Sequence, residues 1–355
     1  MKFNVLHYLQ DFYTDSKISK LEKVQSLWSD YGEIARYWVP SIDSSIIVKV
    51  INIQQQNNHP RGWNTDISHQ RKLSSYQNEL NFYRHFSSIS NSLISSTTIN
   101  KQKVPICKVP TLIDSHTNED SIFLILEDLD CRKYVVRHSI GNMQNAKIGL
   151  TWLAYFHAAF LQCGSSGKNN GKYTDNKAIS ISPDLSLVWP HGNYWHLKTR
   201  PDEFTAMPEG ELKNAAKHID EKLRQTQYQC LLHGDAKLAN FCFHKNNKNV
   251  AAVDFQYTGK GAGIIDVVYF LGSCFDDDDL SKNAAALLNF YFEQLASAID
   301  DVLDTNQKQT LEKEWRDLYA FAWADFERFL QGWSPQHKKL TQYSQMQTQI
   351  ALSGL

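Results

Sequence analysis

His233-Gly234-Asp235-Ala236-Lys237-Leu238-Ala239-Asn240, followed by Val253-Asp254-Phe255-Gln256, is the stretch that decides how the chain is read. Apolar runs around Cys230–Leu232 and Val250–Asp254 lead into both acids, so each carboxylate sits where a buried strand opens into a loop. Two carboxylates and an amide brought together this way can hold Mg²⁺ through hard oxygen ligands and leave one acid free as a base. Phosphoryl transfer uses those parts: a base for the acceptor hydroxyl, and an amide and a carboxylate on metal. Taken singly, HGD is a turn and DFQ a strand end. Together, with the five-residue step from Asp235 to Asn240, they form a functional constellation.

HGDxxxxN followed 14 residues later by DFQ resembles the kinase superfamily that holds aminoglycoside phosphotransferases, choline/ethanolamine kinases and ecdysteroid-kinase-like proteins. DFQ, rather than an acidic third residue, points to the ecdysteroid-kinase-like branch. The resemblance implies an α+β, two-lobed protein-kinase-like fold, ATP with Mg²⁺, and a small-molecule hydroxyl acceptor such as an amino alcohol, aminoglycoside, sugar or sterol. By position Asp235 matches the catalytic base, and Asn240 and Asp254 match the metal ligands. Asp266, in GIIDVVYFLG, matches the acid that steadies the catalytic loop from a following helix. Lys237, two residues after Asp235, is placed to touch the transferred phosphoryl and neutralise developing charge. No DFG and no APE follows Asp254, which argues against a protein substrate.

Working outward, Ile46–Ile53 is a β-branched run that reads as a buried strand, interrupted only by Lys49 and Asn52. A buried ammonium needs an anion. Glu79 is the candidate, because it lies on a helical stripe with Leu73, Tyr76, Leu80, Phe82, Tyr83 and Phe86. In the family such a pair grips the α/β-phosphates. The turn Asp30-Tyr31-Gly32-Glu33 would cover the phosphates, but it offers the single glycine Gly32 in place of a Gly-rich loop. Glu127 and Leu129 stand at the expected junction of the lobes, where the family places nucleotide. Arg61, His69, Arg71 and Lys72 read as a basic loop ahead of the helix.

Lys23–Ser29 and Ile34–Val39 read as strands, Ser87–Lys103 as an exposed connection, and Val109–Ile113 and Ile122–Leu126 as two further strands. Beyond Asp128–Asp130 the pattern turns helical, with stripes at Ile148–Phe160, Leu212–Leu223, Ile264–Cys274, Ala284–Ile299 and Leu311–Trp333, and a loop at Cys163–Pro183. This divides the chain into a nucleotide-binding lobe, 1–128, and a catalytic and acceptor-binding lobe, 129–355. His157 reads as a hydrogen-bonded core histidine. The run Asp276–Asp279 reads as a solvated loop with the option of attracting a cation. Aromatics of Trp315–Trp333, with Asp325, Glu327 and Arg328 among them, read mainly as core and otherwise as an acceptor pocket for an amine or flat ring.

The whole chain, 355 residues with net charge −1, has no global field to attract nucleic acid or an anionic membrane. It shows no apolar run of membrane-spanning length and no secretory signal pattern. Six cysteines without CxxC spacing suit reduced thiols and a cytoplasmic location. Two other readings stand beside the phosphotransferase: a catalytically inactive kinase-fold nucleotide-binding regulatory module, and a metal-dependent phosphohydrolase, which gives Lys49 and Glu79 no task.

Overall fold

A computed structural model describes residues 4–27, 31–53, 66–99, 102–163 and 184–355. The N-terminal part is built on an antiparallel sheet of β1 (Ser19–Ser26), β2 (Gly32–Val39), β3 (Ser44–Asn52), β7 (Ser121–Glu127) and β6 (Leu112–Thr117), in that spatial order. Period-two alternation sorts β3. Ile46 and Val48 join Val39, Phe123 and Ile125 on one face, against Leu9 of helix α1 (Val5–Tyr13). Ile51 faces the other way, into the main core with Tyr76 and Leu80 of helix α2 (Asp66–His85). Lys49 shares that second face, which is why the one cation of the strand points at α2 and not at solvent.

The connection after α2 is ordered, not the loop its composition suggests. It forms the short helix α3 (Ser87–Ser92) and the hairpin β4 (Ile94–Ile99) and β5 (Gln102–Pro105). Ser87 and Ser90 are buried there because their hydroxyls donate to the carbonyls of Tyr83 and Phe86. Likewise His69, Arg71 and Lys72 lie in the first turns of α2, not in a loop. Arg61, Asp30 and the stretch 164–183 lie outside the described residues.

Past β7, a 3₁₀ turn at Leu129–Arg132 leads to α4 (Met143–Ala159) and β8 (Gln162–Cys163). Then follow α5 (Pro201–Ala206), α6 (Glu211–Arg224), β9 (Tyr228–Leu232), β10 (Phe241–Phe243), β11 (Val250–Ala252), β12 (Gly259–Gly261), α7 (Ile264–Cys274) and α8 (Asp277–Ala298). The last apolar stretch is two helices, α9 (Thr305–Asp317) and α10 (Tyr319–Trp333), and α11 (Gln342–Ser353) ends the chain. Asp276–Asp279 is largely exposed, as expected of a solvated run, but it starts a helix and is not a loop. Asp276 caps α8 by accepting from the Asp279 N–H, and Asp277 accepts from the Tyr343 N–H. One apolar cluster runs from α2 through α4 to α10, so the two parts share a core. No helix among the described residues is long and apolar enough to cross a membrane. Cys107, Cys131, Cys230, Cys242 and Cys274 are all free thiols.

Candidate active site

Asp235 sits in the loop between β9 and β10, and Asp254 just past β11. The β10–β11 hairpin brings the metal-ligand candidates side by side, since the Val253 N–H donates to the Asn240 carbonyl (3.0 Å). Gly234 takes φ +78°, and a Cβ there would meet the Tyr257 carbonyl oxygen at 1.9 Å, so only glycine allows the loop to fold back this tightly. Asp254 itself has φ +71°, a conformation uncommon for a residue with a side chain. The surrounding structure holds this cost of roughly 1–3 kcal/mol in place.

What holds the loop is Asp266, on the first turn of α7 and fully buried. Its Oδ2 accepts from the His233 N–H (2.6 Å) and its Oδ1 from the Gly234 N–H (3.0 Å). His157 adds Nε2 at 3.2 Å from Asp266 Oδ2 and is itself fixed by Tyr291 at 2.8 Å. The His233 ring is tied to the Val253 carbonyl at 3.1 Å. Burial lowers its pKa, against the pull of Asp266 and its neighbours, and so favours the neutral ring.

Around the Asp235 carboxylate, Oδ2 accepts from Lys237 Nζ (2.7 Å) and from Asn240 Nδ2 (3.0 Å), and Asn240 Nδ2 also meets the Asp235 carbonyl (2.8 Å). Burial depresses the Lys237 ammonium, but the Asp235 and Asp254 carboxylates outweigh it and raise its pKa above the usual lysine range. Asp235 Oδ1 and Asp254 Oδ1 are buried with no hydrogen-bond partner. Buried carboxylate oxygens left this way are costly unless something else meets them.

With its NH₂ committed to Asp235, Asn240 has its side-chain oxygen left as a ligand. This donor set fits a hard divalent cation: an amide oxygen beside an unmet carboxylate oxygen. Among the described residues no three His, Cys, Asp or Glu side chains form a self-sufficient metal cage.

Lys49 Nζ lies 2.5 Å from Glu79 Oε2, with both side chains buried. Burial pushes the Glu79 carboxyl up, Lys49 opposes that, and the nearby Asp254 adds to it. Asn78, next to Glu79, ties α2 to the segment after Asp254. Its Nδ2 reaches the carbonyls of Phe255, Gln256 and Thr258 at 2.9–3.3 Å, and its Oδ1 accepts from the Trp189 N–H at 2.8 Å. The Phe82 and Phe255 rings stack at 3.6 Å. The small-lobe pair and the Asp254 loop are thus one packed unit.

Other expected positions have different surroundings. Gly32 opens β2 with φ +148°, and a Cβ there would lie 1.9 Å from the Val50 carbonyl oxygen, so strand packing accounts for the glycine. The Glu127 carboxylate is taken by Lys108 (2.6 Å), Arg132 (2.7 Å) and Thr111, so its side chain is not open to a nucleotide. Leu129 is buried with Tyr134, Cys242 and Ala251. Arg71 donates to Thr199 O at 2.8 Å, and Lys72 lies over the Tyr31 ring. In α10, Arg328 pairs with Asp325, and Glu327 accepts from Thr348 and Gln331, so these acids are not open to an amine. Sequence reading missed Asn78, Tyr194, Tyr269 and Lys339. Tyr194 and Tyr269 bring their hydroxyls within 3.4 Å of each other beside Asp235.

The sequence pattern of the ecdysteroid kinase-like family matches residues 43–180 and 195–303, more than half of the chain. No protein of curated function matches it in sequence. In fold it is similar to an amicoumacin kinase solved with AMP-PNP, Ca²⁺ and Ami, at 11% identity and a TM-score of 0.51, over 99% of this chain and 92% of that one. A Plasmodium vivax ethanolamine kinase overlaps 98% of this chain and 85% of its own, at 10% identity and a TM-score of 0.49.

Proposed function

We propose that this chain, which belongs to the ecdysteroid kinase-like family, is an ATP-dependent phosphotransferase that moves the γ-phosphate to a hydroxyl of a small molecule. The observation that carries the reading is the pair of unmet buried oxygens, Asp235 Oδ1 and Asp254 Oδ1, with the buried Lys49–Glu79 ion pair close to Asp254. A hydrolase needs the first feature and has no use for the second. On this reading residues 1–128 hold the nucleotide and 129–355 carry the chemistry and the acceptor.

Lys49, held by Glu79, contacts the α/β-phosphates, and the backbone at Gly32, Glu127 and Leu129 borders the nucleotide. Asn240 and Asp254 would hold Mg²⁺, which when bound would neutralise charge on the phosphates. Asp235 Oδ1 accepts the acceptor O–H proton while that oxygen bonds the γ-phosphorus, and the bond from phosphorus to the β–γ bridging oxygen breaks to leave ADP. Lys237, on Asp235 Oδ2, lies on the side where charge develops. Asp266 positions the loop without touching substrate.

The test is ATP consumption measured with and without hydroxylated acceptors, alongside Mg²⁺-dependent binding of a fluorescent ATP analogue. Acceptor-dependent ADP release supports the reading. Tight Mg²⁺–nucleotide binding with no release for any acceptor would favour the inactive regulatory module, and acceptor-independent release would favour a phosphohydrolase.

A further inference from the structure

The Lys339 ammonium lies 4.5 Å over the Tyr269 ring and 5.7 Å from the Phe326 ring. Among the described residues no hydrogen bond or salt bridge reaches its Nζ. A half-buried ammonium with only aromatic faces beneath it is under-compensated. Its surroundings make this worse. Lys237 is close enough to repel it, and Asp235, the one carboxylate acting on it, is already paired with Lys237. Burial therefore lowers its pKa to about 8.

The surrounding wall has the same bias. The Tyr194 ring is packed by Tyr257 at 5.9 Å, Tyr269 at 5.5 Å and Phe329 at 5.3 Å, with the Arg200 guanidinium 5.6 Å from its centre. Tyr194 and Tyr269 are the aromatic groups that sense the Asp235 carboxylate, so this wall borders the proposed base. The acids nearby are spent within the protein. Glu203 pairs with Arg200, and Asp325 pairs with Arg328. A cationic acceptor would meet Lys237 and Lys339, and the carboxylates beside them are the proposed base, already paired with Lys237, and the proposed metal ligand Asp254.

We propose that the acceptor carries an oxyanion (carboxylate, sulfate or phosphate) on a flat apolar body bearing the reacting hydroxyl, and that Lys339 binds that oxyanion. The inference rests on the phosphotransferase reading for the location of the acceptor. The aromatic wall takes the body, Asp235 Oδ1 takes the hydroxyl, and the ammonium gains the counterion it lacks.

The experiment compares para-(hydroxymethyl)benzoate with the matching benzylamine and neutral benzamide, each titrated by calorimetry into protein saturated with Mg²⁺ and a non-hydrolysable ATP analogue. The phenyl sulfate and phosphate analogues identify which oxyanion is preferred. Label transfer from γ-labelled ATP is followed in parallel. The parent should bind an anionic probe at least about tenfold more tightly than the amine, a gap of about 1.4 kcal/mol. Lys339→Met should erase that preference, Lys339→Arg should keep it, and Lys339→Met should melt no lower than the parent because it removes an uncompensated charge. Equal or better binding of the amine, a preference that survives Lys339→Met, or no binding of any anionic probe would overturn the inference. Anion-selective binding without transfer would keep the Lys339 oxyanion site and favour the inactive-module reading over phosphotransfer. Transfer to the amine as readily as to the anions would do the reverse.

Discussion

Replacing Asp266 by Asn tests whether the α7 acid holds the loop that carries Asp235. The carboxylate accepts two backbone N–H groups, His233 at 2.6 Å and Gly234 at 3.0 Å, while His157 lies against Oδ2. An amide has one acceptor oxygen, so whichever way it turns, its NH₂ faces a backbone N–H. One buried donor is then unmet, at a cost of about 1–3 kcal/mol, and the remaining bond loses its charge assistance, about 1 kcal/mol more. The sum, roughly 2–4 kcal/mol, corresponds to a melting temperature about 4–8 °C lower at about 2 °C per kcal/mol. Activity should fall further than stability implies. Relief of the donor clash moves Gly234 and with it Asp235, and a misplacement of about 1 Å costs on the order of 10²-fold in rate. Thermal melting and acceptor-dependent ADP release, both measured below the variant's transition, read the two effects separately. A variant that melts within 1 °C of the parent and turns over at more than half its rate would refute the anchoring role.

Asp254→Ala should raise the Mg²⁺ concentration needed for binding of a fluorescent ATP analogue, because it removes the main hard ligand. An unchanged midpoint would take Asp254 out of the metal site. Lys49→Met and Glu79→Gln should each raise the apparent KM for ATP, and the double variant should lose less than the two losses combined, since the side chains meet at 2.5 Å. Strict additivity would mean they act independently. Lys339 is lowered to about 8 by burial, with Asp235 opposing, Lys237 reinforcing, Cys274 opposing and Lys338 reinforcing, and it lies on the Tyr269 face. Its charged form is the acid, so kcat/KM for an anionic acceptor should be flat below about pH 7 and fall toward tenfold per pH unit above about 8. The neutral acceptor should show no such fall.

Residues whose role is fixed by local pattern were legible in the sequence. Lys49 stood out as the cation in a β-branched run, and Glu79 as the acid on an apolar helix stripe. The helix Ile264–Cys274 has the bounds its apolar period gave. What escaped was hidden by side chains that satisfy their neighbours. The serines of α3 look like loop residues until their hydroxyls are seen to pair with the carbonyls of Tyr83 and Phe86. The acids of Asp276–Asp279 look like a loop, yet they form a solvated helix start. Likewise β6 begins at Leu112 rather than Val109, because Val109 leaves the sheet for the core and gives its N–H to Asn91. Lys339 carries no local signal. Only the fold brings it onto Tyr269 and near Asp235, from stretches far apart in the chain.

The most direct measurement is transfer of label from γ-labelled ATP to the best acceptor, by the parent and by Asp235→Asn, with nucleotide binding recorded for both. The parent should transfer label stoichiometrically with ADP release. Asp235→Asn should bind Mg²⁺–ATP as the parent does and lose about 10²–10⁴-fold in rate, the usual contribution of a general base. A variant that still transfers label at more than a tenth of the parent rate would contradict the assignment of Asp235 as the base.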